Sequence, residues 1–453
     1  MKNLLITLCF ILVMGAVFAQ PNYKVESYSV AMGKKPGYYH REAERQIKAG
    51  NVDMGLLNAA YGLQIAEKKK DISKSQEPLR LSFAAQKRTN LAKIESWKGE
   101  TATFQNDETV TKLAKIVSLY TIMYQYNDIL KTLPAEKFAG AKKKDPTLSL
   151  ETGDYSSDIA TAKAALQKGI TDAAQMHYDK GVENMADASN KKANRQAARH
   201  FRYSYSYVSG FSDAQQKYTV AKDIGMVKVG VTMFGNQTYK CQDAGGAISN
   251  GLTTSLMQKN YEFIEVKNKE TMSAALGGSY MSSGDFQQQF VSSDELAKKL
   301  GVDYVIVGNI EKCDYKTGIA DAGKKSHKKN IVIRTETSKD KDGKTVKKQI
   351  KGDVTATGYY KKKFANAVTG SAYSIINTSD GSLQGAGQKS GSNNWEKTWR
   401  YSYSGDARAL PSESTKPPQD PNSMTIVNNS YGSLVTNLMS DVTSFAKRVT
   451  EED

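Results

Sequence analysis

The sequence is poor in the side chains that bind metals or act as nucleophiles. Its 453 residues include only four histidines and three cysteines. The histidines His40, His177, His200 and His327 are scattered, and none has ligand-like spacing to Cys241 or Cys313. No nucleophile, base and acid can therefore be assembled from them into a catalytic constellation. We predict a protein without catalytic residues, a bound metal or a cofactor.

Long apolar runs are also scarce, and the longest lies at the amino terminus. It follows Lys2 and leads to Val17-Phe18-Ala19, which fits a signal-peptidase site. We therefore expect a signal peptide over residues 1–19. Cys9 lies inside the apolar region, so lipid attachment at a new terminal cysteine is not expected. Because no later run reaches the roughly 18 apolar residues of a membrane helix, we predict an exported chain with no membrane span.

Two cysteines, Cys241 and Cys313, remain after the predicted cleavage. In an oxidising compartment these two side chains can form a disulfide. Two free thiols are the alternative, and the sequence does not decide between them. A metal site is disfavoured because no histidine stands at a ligand-like distance along the chain.

Positive charge is in excess, and most of it is concentrated in one region. The formal net charge is +16, while residues 324–363 alone hold fourteen Lys or Arg against four acids, a net +10. Asp342-Gly343 near the centre of this region is a hairpin turn signal. A charge this local indicates a patch rather than a generally basic surface. We therefore predict a basic hairpin, residues 324–363.

The basic hairpin is the best candidate for a binding site. We predict that it docks onto an anionic outer-membrane or cell-wall surface, or onto an acidic protein. The alternative is a solvated lysine-rich edge that discourages strand-to-strand aggregation. Nucleic acid is not predicted as a partner, because export argues against it and no binding motif accompanies the charge. The candidate binding residues are Lys324, Lys325, Lys328, Lys329, Arg334, Lys347, Lys348 and Lys351.

The pattern is helical from about Gly37 to Asp223, apart from one polar loop, and we predict a helical domain over residues 20–223. The stretch from Tyr38 to Lys70 predicts two helices broken at Gly50-Asn51. Further on, small residues such as Gly181 stand where antiparallel helices must approach closely, and this part resembles a tetratricopeptide-type helix pair. An irregular helical bundle is the alternative. We expect this helical, repeat-like domain to bind envelope proteins.

Residues 224–453 change to alternating strands and helices, followed by strand after strand. The apolar run VDYVIVGNI, at 302–310, predicts a central strand with both faces covered, and an amphipathic helix at Asp294–Leu300 precedes it. After Cys313 we predict several separate strands and then a closing helix. The predicted fold class is therefore α+β, with an all-α first domain and then an α/β sandwich that carries the extended basic hairpin.

Several of these residues resemble the CsgG family, named for the curli-secretion component and including penicillin-binding-protein activators such as LpoB. Residues 297–310, AKKLGVDYVIVGNI, are close to the family run A-x-x-L-G-A-D-Y-hydrophobic-hydrophobic-x-G-x-I. Residues 375–383, IINTSDGSL, match a later strand with a similar turn. The resemblance covers roughly 224–451 and implies a CsgG-like domain.

The resemblance implies a non-enzymatic scaffold of the periplasm, the periplasmic face of the outer membrane or the cell surface. Such a scaffold supports assembly or secretion and forms homo-oligomers; the alternative is a peptidoglycan-binding accessory or regulator of a cell-wall synthase. Two departures stand out. The best-known members are lipoproteins, and the secretion member inserts its hairpins into a membrane. Here charge falls on both parities of the basic hairpin, so we expect it to stay in water or to lie on an anionic surface.

An aromatic cluster comprises Trp395, Trp399, Tyr401 and Tyr403. Alternation places Trp399, Tyr401 and Tyr403 on one face of a strand, and we favour their burial against the sheet. Stacking on sugar rings is the alternative, and a hydrolase of envelope polysaccharide is therefore kept as a third class of function.

Overall fold

The computed structural model describes residues 23–102, 106–140, 146–238, 241, 243–275 and 299–450. The chain divides into two compact units between Gly225 and Met226. The predicted signal peptide and most of the predicted helix Asp294–Leu300 lie outside the described residues. The first unit is helical and the second contains a mixed sheet, in agreement with the predicted α+β class.

The described part of the first unit contains seven α-helices. They are α1 (Pro36–Lys48), α2 (Val52–Ile65), α3 (Lys69–Thr101), α4 (Asp107–Lys131), α5 (Ser156–Asn184), α6 (Lys191–Tyr207) and α7 (Ala214–Gly225). The predicted break at Gly50-Asn51 is confirmed, since α1 and α2 are separated there and Gly50 has a φ of +84°. A left-handed residue of this kind commonly ends a helix, and glycine adopts it without steric cost.

The lengths of the helices test part of the predicted resemblance to tetratricopeptide repeats. Such a repeat uses about 34 residues for two helices, whereas α3 alone has 33 residues. The close approach predicted at Gly181 is confirmed, because a Cβ added there would lie 2.7 Å from the Phe201 ring on α6. The stretch from α3 to α5 therefore fits the irregular bundle, and the repeat stays a prediction for the remaining helices.

The second unit is built on one mixed sheet. Its strands are β1 (Val227–Val231), β2 (Gly235–Asn236), β3 (Ile264–Lys267), β4 (Tyr304–Lys339), β5 (Thr345–Asn377) and β6 (Leu383–Gly405); its helices are α8 (Ala244–Lys259), α9 (Lys269–Ala275) and α10 (Ser423–Thr450). The strand order is β3-β1-β4-β5-β6, with β2 beside β4. Strand β1 is parallel to β3 and β4, whereas β4, β5 and β6 are antiparallel.

The predicted central strand is confirmed at the start of β4. On one face, Val305 and Val307 pack in a buried cluster with Met272 of α9. On the other, Ile306 and Ile310 belong to the cluster that α8 and α10 cover. Both faces of this segment are therefore buried, which explains why its sequence is almost continuously apolar.

The later strands differ from the prediction, because the predicted separate strands are joined. Strand β4 runs unbroken for 36 residues and β5 for 33. Their ladder begins at the Tyr304–Asn377 pair and ends at the Lys339–Thr345 pair, with three register shifts on the way. The segment predicted as a central core strand therefore continues directly into the first strand of the basic hairpin.

Candidate functional site

The basic hairpin extends past the third strand of its own sheet. Beyond Ile310 no described strand pairs with the outer edge of β4. Strand β6 accompanies β5 only as far as Ala356, so residues 345–355 form a two-stranded ribbon roughly 36 Å long. The predicted turn is confirmed at its tip, where Gly343 has a φ of +75° and Asp340 Oδ1 accepts hydrogen bonds from nearby amides.

All eight predicted cations of the basic hairpin are exposed to solvent. Two have a carboxylate partner, since Lys328 lies 2.7 Å from Asp353 and Arg334 lies 2.8 Å from Glu336. The ammonium of Lys325 stands 5.2 Å from the centre of the Tyr360 ring. The other five have no carboxylate within 4.0 Å in the part of the chain that the structure describes, and their charge is free to meet an external anion: Lys324, Lys329, Lys347, Lys348 and Lys351.

The ladder register divides these cations equally between the two faces of the hairpin. Directly opposed residues of an antiparallel pair share a face, and successive residues alternate. The face that contains Ile350, here the Ile350 face, carries Lys325, Lys329, Arg334 and Lys348. The opposite face, here the Lys351 face, carries Lys324, Lys328, Lys347 and Lys351. A charged surface is therefore presented on both sides.

The two faces differ in what surrounds the cations. On the Lys351 face, Ser326, Thr355 and Thr357 surround a cavity of about 400 Å³ beside Lys328. On the Ile350 face, Val354 and Ala356 are buried. The first face is polar, and the second has an apolar row along its middle.

The hairpin is fixed to the compact part of the sheet by covalent and polar contacts. A disulfide joins Cys241 to Cys313, and it connects the segment before α8 to β4. Next to it, the buried hydroxyls of Thr369 on β5 and Ser430 on α10 lie 2.7 Å apart. These contacts hold the base of the hairpin where β4 passes beyond its parallel neighbours.

The aromatic cluster is only partly buried, which corrects the prediction for two of its members. Trp399 is 5 % exposed, but Tyr401 and Tyr403 are each 50 % exposed. The cause is a register shift, since Tyr360 pairs with Arg400 and Tyr359 with Ser402, which leaves Tyr401 unpaired. The irregularity ends the strict alternation on which the prediction depended.

Two histidines that the sequence presents as scattered lie together in the helical unit, which corrects that prediction. His177 Nδ1 is 2.9 Å from His200 Nδ1, and His177 Nε2 is 2.9 Å from Asp107 Oδ1. The same carboxylate oxygen accepts a hydrogen bond from Tyr207. Because the ionised Asp107 carboxylate can only accept, His177 Nε2 donates to it, and only one of the two facing Nδ1 atoms can donate to the other.

This arrangement disfavours a positive charge on His200. Burial, then His177 and then Lys180, lower the pKa of His200 to about 4, against the nearby Asp107, which raises it. The pKa of Asp107 is itself lowered, chiefly by its hydrogen bond to His177. If both His177 and His200 were protonated, two positively charged rings would have their Nδ1 atoms in direct contact.

We expect the helical unit to lose stability as the pH falls from about 6.5 to about 4. Unfolded His200 takes up its proton near pH 6.5 and folded His200 near pH 4, so in that window the unfolded state binds more protons and acid favours it. Helical circular dichroism during denaturant unfolding, recorded at pH 7.5 and pH 4.5, measures the change. The substitution His200→Gln should remove most of it, and His327→Gln, in the other unit, should not. An identical pH dependence in both variants would contradict this assignment.

Within the described ranges, no group of three or more His, Cys, Asp or Glu side chains has an arrangement suited to a metal ion. None of the described helices combines the length and apolar character that crossing a membrane requires.

Comparisons with known proteins give similarity to solved structures but no sequence match. No family model and no curated protein sequence matches the chain. Among solved structures, the chain is similar to the dodecamer of a PelC variant from Paraburkholderia phytofirmans, with 16% identity over 48% of this chain and 87% of that one. The TM-score is 0.21, too low to support an argument about fold or function. The CsgG-like resemblance therefore stays a prediction that depends on the residues of the second unit.

Proposed function

We propose that this protein is an exported, non-catalytic scaffold that docks onto an anionic surface of the bacterial envelope through the basic hairpin. The helical unit recruits a partner protein, and the second unit docks and associates with copies of itself. In this arrangement the protein connects an envelope surface to an assembly or secretion partner. The CsgG-like resemblance of the second unit supports the same class of function.

One observation supports the docking role most directly. Six of the eight exposed cations have no carboxylate within 4.0 Å among the described residues, although the chain contains 47 acidic residues, and five of the six also lack the aromatic partner that Lys325 has. A surface that only needed solubility would interleave both signs of charge. Like charges held together on one ribbon repel one another, and an anionic partner relieves that repulsion.

Neutralising the five unpaired cations tests the docking role. In the variant, Lys324, Lys329, Lys347, Lys348 and Lys351 are replaced by glutamine. Each cation near an anionic membrane contributes about 1 kcal/mol, so binding should weaken at least tenfold. Sedimentation with vesicles of phosphatidylglycerol and phosphatidylcholine, at increasing sodium chloride concentrations, measures it, and wild-type binding should fall as salt is added.

A matched control removes the same charge from the helical unit. It replaces five exposed lysines by glutamine, namely Lys68, Lys69, Lys70, Lys74 and Lys163. This variant should bind the vesicles as the wild type does. Equal losses in both variants, or wild-type binding that salt does not change, would exclude the proposed role of the hairpin. Sedimentation of the wild type with purified cell-wall sacculi, but not with vesicles, would instead favour the peptidoglycan accessory.

A further inference from the structure

The outer part of the Ile350 face combines cations with uncovered apolar side chains. Ile333 is 50 % exposed and Val346 is 45 % exposed; Val346 lies beside the turn, and Ile333 lies about midway along the two-stranded ribbon. We infer that this face of the basic hairpin lies flat on an anionic lipid bilayer. Its apolar side chains then enter the boundary between headgroups and acyl chains, while Lys329, Arg334 and Lys348 meet lipid phosphates. The inference depends on the proposed function and names its partner.

The apolar row on this face is covered in one part and bare in another. Close to the third strand, Ala409 and Leu410 pack over Val354 and Ala356, and Ile331 joins the edge of that cluster. Further out the same row continues through Ile350 to Val346 with no such cover among the described residues. The chain therefore shields the row where it is close to the compact sheet and leaves it open toward the turn, which is where an external surface can reach it.

A register shift concentrates both kinds of side chain on this face. Val332 pairs with Lys351 and Arg334 pairs with Ile350, so Ile333 between them is unpaired. The side chain of Ile333 lies over Gly352, where an added Cβ would collide with its Cδ1 atom. The bulge thus places the Ile333 side chain on the Ile350 face and turns Arg334 to the same side.

The Lys351 face can be compared with the Ile350 face of the same hairpin. It carries four of the eight predicted cations, as the Ile350 face does, but its only exposed large apolar residue between 324 and 357 is Val332, which is 38 % exposed. Its other neighbours include the hydroxyls around Thr357. Charge alone would not distinguish the two faces, whereas a bilayer that accepts apolar side chains would select the Ile350 face.

Three variants of the full chain separate these contributions. The apolar variant carries Ile333→Ser, Val346→Ser and Ile350→Ser, which leaves the charge unchanged. The second carries Lys329→Gln, Arg334→Gln and Lys348→Gln, and the third carries Lys324→Gln, Lys347→Gln and Lys351→Gln. Binding is measured to vesicles of phosphatidylglycerol and phosphatidylcholine and, separately, to soluble polyphosphate. Thermal unfolding of each variant verifies that the fold is kept.

We expect the apolar variant to bind vesicles about tenfold more weakly and polyphosphate as the wild type does. The Lys329 set should weaken vesicle binding more than the Lys351 set. Equal vesicle binding by the apolar variant and the wild type would overturn the inference, and so would a larger loss from the Lys351 set. If both charge sets weaken binding equally and the apolar variant is unaffected, docking stands and the lipid-facing assignment fails. If neither charge set changes binding, the proposed function itself fails.

Discussion

Replacing Cys241 and Cys313 by serine is expected to lower the free energy of unfolding of the second unit by about 4 kcal/mol. The disulfide closes a loop with a sequence separation of 72 residues, and a cross-link of that span restricts the unfolded chain strongly. Cys313 is also buried among the side chains that α8 and α10 cover. Its removal should therefore loosen the base of the basic hairpin as well.

Denaturant unfolding followed by tryptophan fluorescence measures this change. Trp395 and Trp399 belong to the second unit, so a Trp97→Phe background removes the signal of the helical unit. Wild-type protein treated with a reductant is the matched control, and it should resemble the double serine variant. A midpoint that is the same with and without the disulfide would show that the bond contributes little to stability.

Introducing a side chain at Gly391 should lower the free energy of unfolding of the second unit nearly as much as removing the disulfide does. This residue of β6 pairs with Thr369 of β5, and α10 passes directly over it. A Cβ there would collide with the backbone of Leu434 and Ser430. Because backbone atoms cannot rotate away, Gly391→Val should displace α10 and cost about 3 kcal/mol of unfolding free energy. The buried hydroxyl pair of Thr369 and Ser430 would separate at the same time.

The matched control is Gly385→Val on the same strand. A Cβ at Gly385 would lie 3.5 Å from Ile375 Cδ1, which is ordinary van der Waals contact. Chemical unfolding of the two variants compares a blocked site with an open one. Equal stabilities would mean that α10 does not pack against β6 as closely as the structure places it.

Local signals were sufficient to predict the helical first half and the central strand. Gly50-Asn51 marks a true helix break, and the run that includes Val305, Ile306 and Val307 is buried on both faces. These features depend on local conformation and on burial, which the order of residue types records directly. The length of β4 and β5 was not predicted, and glycines such as Gly318 and Gly358 are not the breaks that isolated glycines often mark. In the structure both lie inside strands, each beside a large aromatic ring.

The division of the candidate site into two faces could not be predicted from spacing. By simple alternation Arg334 would share a face with Lys324 and Lys328. The unpaired Ile333 reverses that parity and places Arg334 with Lys325 and Lys329. A bulge depends on how two strands pair, so the sequence of either strand alone does not predict it. The His177–His200 pair escaped notice for a similar reason, since the two rings come from different helices 23 residues apart.

The unbroken passage of β5 from core to tip limits how the hairpin can change in length. In the core Tyr373 and Ile375 point toward α10, and that packing fixes the pleat of every residue outward along the same strand. Removing one opposed pair of residues halfway along would exchange the two faces of everything beyond it. Shortening by two opposed pairs would preserve them. Insertions and deletions in this hairpin among related sequences should therefore add or remove an even number of residues in each strand.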